Sequence, residues 1–167
     1  MNEILFWILS AGAIGSAILM VTRKSAVSSA LSLVLTFCFL AALYLTLQAQ
    51  FLAIVQVAVY AGAIMVLVLF VIMLLNLQQE IFSIGSNWKT TLGVLGVGAI
   101  AVQIIAIIMI SKEKLPQAVS AKAAEFGTVE SVGMLLYKSY AFPFEMASLV
   151  LIAAAVGAIV LAKKKLS

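Results

Sequence analysis

The sequence predicts an all-α integral membrane protein that crosses the bilayer five times, and three observations carry that prediction. Hydrophobic residues make up 65% of the 167-residue chain and charged residues 10%, with a mean hydropathy of +1.26, whereas soluble domains average about a quarter charged. The charges are clustered: 55 consecutive uncharged residues separate Lys24 from Glu80, far more than the ~20 that one crossing needs. Each long apolar run also ends in polar or basic residues of the kind that sit at the water interface.

Span one covers about residues 4–21 and stops at Thr22-Arg23-Lys24. The segment before it, Met1-Asn2-Glu3, lacks a basic region and a small-residue cleavage site, so the first helix is expected to stay as a span. Gly12 and Ser16, with Gly15 beside them, give it a face that a neighbouring helix can approach closely. Span two, 26–47, carries Ser25, Ser28, Ser29 and Ser32 at its start, hydroxyls that can bond back to the helix or across to a neighbour. Cys38 lies in an apolar run and reads as a small buried hydrophobe. Gln48-Ala49-Gln50 is so short a turn that spans two and three must form an antiparallel hairpin.

Span three, 51–75, is 25 residues without a charge. As an α-helix it would reach roughly 37 Å against a hydrocarbon core of roughly 30 Å, so length is left over for tilt or a local change of winding. A polar connector follows, with Glu80 and then Trp88-Lys89, an interfacial anchor pair. Span four, 92–110, opens with Gly93, Gly96 and Gly98, another close-contact surface, and carries Gln103 mid-span. Residues 111–144 form an extramembrane loop with Lys112, Glu113, Lys114, Lys122, Glu125, Glu130 and Lys138. Span five, 146–162, begins after Pro143, which suits a helix start because its missing N–H falls where no intrahelical bond is made. Residues 1–167 read as one membrane domain, without internal repeats or a soluble module.

An odd number of crossings puts the termini on opposite sides. With the N-terminus outside, the cytoplasmic side holds six basic residues in short segments: Arg23, Lys24, Lys89, Lys163, Lys164 and Lys165. The other side holds four lysines, spread through the long loop beside three glutamates. The excess of positive charge favours an outside N-terminus and a cytoplasmic C-terminus, and makes the +4 net charge a topology signal, with no nucleic-acid partner implied.

Function is bounded by what the spans omit. Intramembrane ionisable residues are expensive and mark ion pathways, and spans one to four contain none in their interiors. The chain has no His, no Asp and one Cys, which excludes a multi-cysteine metal or iron–sulfur site, a haem ligand pair and a nucleophile–base pair. Only Glu145, at the start of span five, is a candidate buried carboxylate paired with a neighbouring subunit; alternatively it is an N-terminal carboxylate favoured by the helix dipole.

Span three offers the remaining signal. Tyr60 sits near its middle, where lipid offers its hydroxyl no partner, so it is expected to face protein and find a hydrogen bond there. Gln56 lies four residues before it on the same helical face, and Ala58 and Gly62 form a small-xxx-small pair. Gly62 either lets another helix pack close or marks a π-bulge, a single-turn irregularity found often at functional sites.

The run Val59-Tyr60-Ala61-Gly62-Ala63-Ile64-Met65-Val66-Leu67, continuing through Phe70-Val71-Ile72-Met73-Leu74-Leu75-Asn76, resembles the third helix of subunit J of bacterial NADH:quinone oxidoreductase, respiratory complex I, whose mitochondrial counterpart is the ND6-type subunit. The five-span layout, the short second turn and Phe144-Glu145-Met146-Ala147-Ser148 resemble that family too. The resemblance implies a membrane-arm subunit without a redox centre of its own, in a complex that elsewhere holds NADH, FMN, iron–sulfur clusters and quinone. It implies partners in the quinone-site subunit, a small neighbouring subunit and the antiporter-like subunits, within the bacterial inner membrane. It further implies a π-bulge at the motif tyrosine, whose interconversion with regular α-helix opens a hydrated proton path. By motif match Tyr60, Ala61, Gly62, Ala63 and Met65 are the residues concerned, with Phe70 as a bulky group that rotates. Competing readings are the equivalent subunit of an oxidoreductase with another electron donor, and a stand-alone small transporter or scaffold.

Overall fold

The computed structural model describes residues 3–75, 87–111 and 126–163. Helix α1 runs Glu3–Thr22, α2 Ala26–Thr46, α3 Gln50–Leu74, α4 Asn87–Ser111, α5 Val129–Ser139 and α6 Ala141–Ala162. Five of them (α5 is the exception) are long and apolar enough to cross a membrane. Glu80, the lysines and glutamates at 112–125, and Lys164 and Lys165 lie outside the described residues, as do the side chains of Trp88 and Lys89.

Small residues set the packing. Among the described residues the buried positions are Ala13, Ser16, Ala30, Thr36, Ala41, Ala53, Gln56 and Met65, all on α1, α2 and α3. In lipid, apolar side chains gain nothing by avoiding hydrocarbon, so helices associate where small residues let backbones approach. Gly12 shows the requirement: a Cβ there would stand 2.5–2.9 Å from the Phe39 ring. Gly15 faces away, with nothing near it. Beside the glycine contact, the Thr36 hydroxyl donates to Ser16 Oγ at 2.9 Å and Ser16 donates to the Ala13 carbonyl at 3.0 Å, so this buried polar pair is satisfied. Of the α2 serines, Ser32 bonds back to the Ser28 carbonyl at 2.9 Å, and Ser29 reaches across to the Met20 carbonyl of α1.

The α2–α3 hairpin ends in a compact turn. Gln48 adopts φ 62°, while its N–H bonds to Leu45 O at 3.1 Å and the Ala49 N–H to Tyr44 O at 2.9 Å. This is a Schellman arrangement, with a glutamine at the left-handed position that glycine usually fills. The first turn of α3 is then capped from a distance: the Phe51 N–H donates to the Gly127 carbonyl at 3.0 Å. Residues 47–49 and 127 therefore lie at the same level, as they must if α3 and α4 make two crossings between them.

Three boundaries differ from expectation, the first being α4, which begins at Asn87 within the stretch read as a connector. The stretch read as a loop contains helix α5, started by Thr128, whose Oγ1 accepts from the Ser131 N–H at 3.2 Å. A single residue, Tyr140, separates α5 from α6, and Tyr137 packs its ring against Phe144 with centroids 5.6 Å apart. Helix α6 begins at Ala141, with Pro143 in its first turn, so Glu145 lies about one turn inside it. Helix α4 touches no other described helix, and α6 touches only α5. Among the described residues the glycines of α4 (Gly93, Gly96, Gly98) accordingly meet nothing within 4 Å.

Candidate functional site

Helix α3 is three pieces in one rod. Gln50–Val55 and Met65–Leu74 are α-helical, and between them Gln56–Ile64 is wound as a π-helix. At its far end the Met65 N–H reaches the Tyr60 carbonyl, five residues back, and also that of Gly62. Nothing polar in the side chains forces the irregularity. The segment QVAVYAGAI holds small residues at 58, 61, 62 and 63, which crowd a widened turn least.

The winding decides which side chains meet α2. Ala53 and Gln56 are buried, Tyr60 touches the Phe37 ring of α2, and Met65 is the most buried residue of the helix, at 3% exposure. These contacts step along the chain by three, four and then five residues. In an unbroken α-helix the first two steps keep one face, but the last would place Met65 about 120° away from Ala53, with Ile64 taking the inner position about 20° from it. The π segment supplies the extra residue that turns Met65 inward.

Gly62 lies at the tightest point. A Cβ on it would stand 3.2 Å from the Val57 carbonyl oxygen, five residues back, inside ordinary van der Waals range. Gly62 and Ala61 are half-buried, while Ala63 and Ile64 are exposed. Tyr60 is 46% exposed. Its ring meets Phe37 edge-on, centroids 5.8 Å apart and planes at 66°, but among the described residues its hydroxyl has no hydrogen-bond partner. The expected protein contact is thus met by the ring alone. Gln56 is buried where Tyr60 is half-exposed, so the two share a face only partly. Phe70 projects outward at 56% exposure, and Glu145 is exposed on this chain, its backbone carbonyl accepting from Ser148 at 2.6 Å.

An apolar groove of about 480 Å³ opens between α2 and α3, lined by Cys38, Ala41, Ala42, Leu45, Ala53, Ile54, Val57 and Ala58. Cys38 is exposed here, on the open wall of that groove, which corrects the expectation of a buried thiol. Among the described residues no three His, Cys, Asp or Glu side chains come together. What the arrangement can do is mechanical. A switch from π to α winding would turn the half-helix beyond Ile64 by about 100° and shift it by about 1.5 Å relative to the other half.

Comparison with known proteins gives a consistent picture. The model of the family described as NADH-ubiquinone/plastoquinone oxidoreductase chain 6 matches residues 16–161. The NAD(P)H-quinone oxidoreductase chain 6 of Leptolyngbya boryana is 36% identical over 160 residues, covering 96% of this chain and 79% of the relative. NADH-quinone oxidoreductase subunit J of Rickettsia typhi is 31% identical over 167 residues, covering 97% and 80%. F(420)H(2) dehydrogenase subunit J of Methanosarcina mazei is 33% identical over 162 residues, covering 95% and 89%.

Proposed function

Because the chain belongs to the NADH-ubiquinone/plastoquinone oxidoreductase chain 6 family, we propose that its third helix is the coupling element by which this complex I membrane subunit ties quinone reduction to proton movement. The observation that carries the reading is the π segment Gln56–Ile64, centred on Tyr60 to Gly62 in a rod without charges. A register change there moves Met65 and Phe70 while leaving Ala53 in place, and it requires no titrating group in this chain. The ionisable groups of a proton path come from neighbouring subunits: the quinone-site subunit, a small adjacent subunit and the antiporter-like subunits. Tyr60 and Phe70, exposed on this chain, present the surfaces those neighbours would meet.

NADH is the electron donor in this reading, and FMN, iron–sulfur clusters and quinone belong to other subunits. The single Cys and absent His leave this chain too few ligands to hold a cluster, which supports a subunit without its own active site. The membrane is the bacterial plasma membrane, with the N-terminus outside. Thiol labelling in the assembled complex tests the switch. With Ile64→Cys and Met65→Cys in separate complexes, a membrane-permeant maleimide should label position 64 and spare 65 at rest, and the preference should narrow or reverse during turnover. Identical labelling in both conditions would show a static helix.

A further inference from the structure

Helix α3 is held at its hairpin end by a contact that spans 76 residues of sequence. Phe51 lies in the first turn of α3, where the N–H has no acceptor within the helix, and it donates instead to the Gly127 carbonyl at 3.0 Å. The approach is so close that glycine is required: a Cβ on Gly127 would overlap the Gln48 carbonyl oxygen and stand 2.9 Å from Gln48 C and 3.0 Å from Ala49 Cα. Those are backbone atoms, fixed by the Schellman turn, and cannot swing aside as a side chain could. On its other side Gly127 leads through Thr128 directly into α5, and α5 turns through Tyr140 into α6, with the Tyr137–Phe144 ring contact bracing the corner. The hairpin end of α3 is therefore tied twice, to α2 through residues 47–49 and to the α5–α6 strap through Gly127.

We infer that Gly127 is a positioning residue that latches the α5–α6 strap to the hairpin end of α3, making that end the fixed point from which a change of winding at Gln56–Ile64 turns Met65–Leu74. The inference rests on reading α3 as the coupling element. With one end fixed, the whole register change appears in the far half; with the end free, rotation divides between the two halves and is lost to coupling.

The test uses the complete membrane-embedded complex and a membrane-permeant maleimide. Leu52→Cys, on the fixed piece, should label equally at rest and during turnover, whereas Leu67→Cys should change; both parent side chains are exposed. Adding Gly127→Ala should make position 52 turnover-sensitive and lower the protons moved per quinone reduced, with electron flow to a water-soluble acceptor unchanged. A turnover-sensitive position 52 with Gly127 intact, or an invariant one with Gly127→Ala, would overturn the latch. If Gly127→Ala blocks assembly, amide exchange in the unaltered complex decides. The Phe51 N–H should exchange at least about a hundredfold more slowly than a free amide, and unprotected exchange would overturn the proposal. Loss of coupling in Gly62→Val alongside an invariant position 52 in Gly127→Ala would discard the latch alone; intact coupling in Gly62→Val would discard the reading beneath it.

Discussion

Replacing Gly62 separates a packing glycine from a switching one. In π winding a Cβ at this position stands 3.2 Å from the Val57 carbonyl oxygen, where ordinary contacts begin at 3.4 Å, so that carbonyl must yield by a few tenths of an ångström. The proposed switch takes this crowding to weigh more on the π form than on the α form, and the assay tests that difference. Overpacking of this kind is worth about 1–3 kcal/mol, with Gly62→Ala at the low end and the branched Gly62→Val at the high end. A difference of one to two kcal/mol changes a two-state ratio by about 5–30-fold, enough to empty the π form if the two windings lie within a few kcal/mol of each other. The assay is the reconstituted complex in proteoliposomes, scoring protons moved per quinone reduced against the rate of electron flow. We expect Gly62→Val to assemble, to lose turnover or coupling, and to show Ile64 in place of Met65 against α2. Full coupled activity in Gly62→Val would refute a switching role and leave Gly62 as a residue that merely admits a neighbour.

Four further outcomes follow from the packing. Tyr60→Phe keeps the ring contact with Phe37 and removes only the hydroxyl, so coupling should fall with the melting temperature of the complex unchanged; unaltered coupling would mean the hydroxyl is idle. Gly12→Ala places a methyl group 2.5–2.9 Å from the Phe39 ring and should destabilise the α1–α2 pair by about 1–3 kcal/mol, seen as a lower thermal midpoint in detergent. Ser16→Ala removes the interhelical acceptor of the buried Thr36 hydroxyl, which keeps the Ser32 carbonyl at 3.0 Å as an acceptor on its own helix; interhelical hydrogen bonds in membranes average about 0.6 kcal/mol, so the thermal midpoint should fall only slightly, and a large drop would refute this accounting. Gln48→Gly removes the roughly 1–2 kcal/mol penalty of a left-handed L residue at φ 62° against about 0.4–1 kcal/mol of added unfolded-chain entropy, so the hairpin should be stabilised by up to about 1 kcal/mol, raising that midpoint.

The five crossings were readable because charge and length alone report them, and the third showed its spare length directly. Which residue is the extra one was not. From Ala61 to Leu75 almost every side chain is apolar, so no pattern of polar and apolar positions marks the five-residue step from Tyr60 to Met65; only the α2 contact reveals it. Helix α5 had a readable start in Thr128 followed by Val129, Val132 and Leu136 on one face, a pattern obscured by the surrounding mixed charges. Pro143 suits a helix start and so points to a beginning of span five at Glu145 or Met146, whereas the first turn accommodates the proline and the helix begins at Ala141, so Glu145 takes the position a short way inside that a start near Tyr140 gives it. Gly127 carried no local signal at all: its need for a bare Cα comes from Gln48 and Ala49, which the fold brings to it.

In the proposed switch the surroundings let a membrane-embedded helix change register at small cost. In water, exchanging Met65 for Ile64 at a packed position, and swinging Phe70 across a surface, would move large apolar side chains between solvent and protein at about 1.5–3 kcal/mol each. In hydrocarbon that penalty vanishes, since lipid tails and protein interior are equally apolar to these side chains. What remains is the change in backbone hydrogen bonding within Gln56–Ile64 and the packing of small residues against α2. A charge anywhere on Met65–Leu74 would reverse this, because rotating it into lipid is heavily penalised. In the proposed switch the uncharged sequence of α3 is the condition for motion, and the protonatable groups stand on other chains.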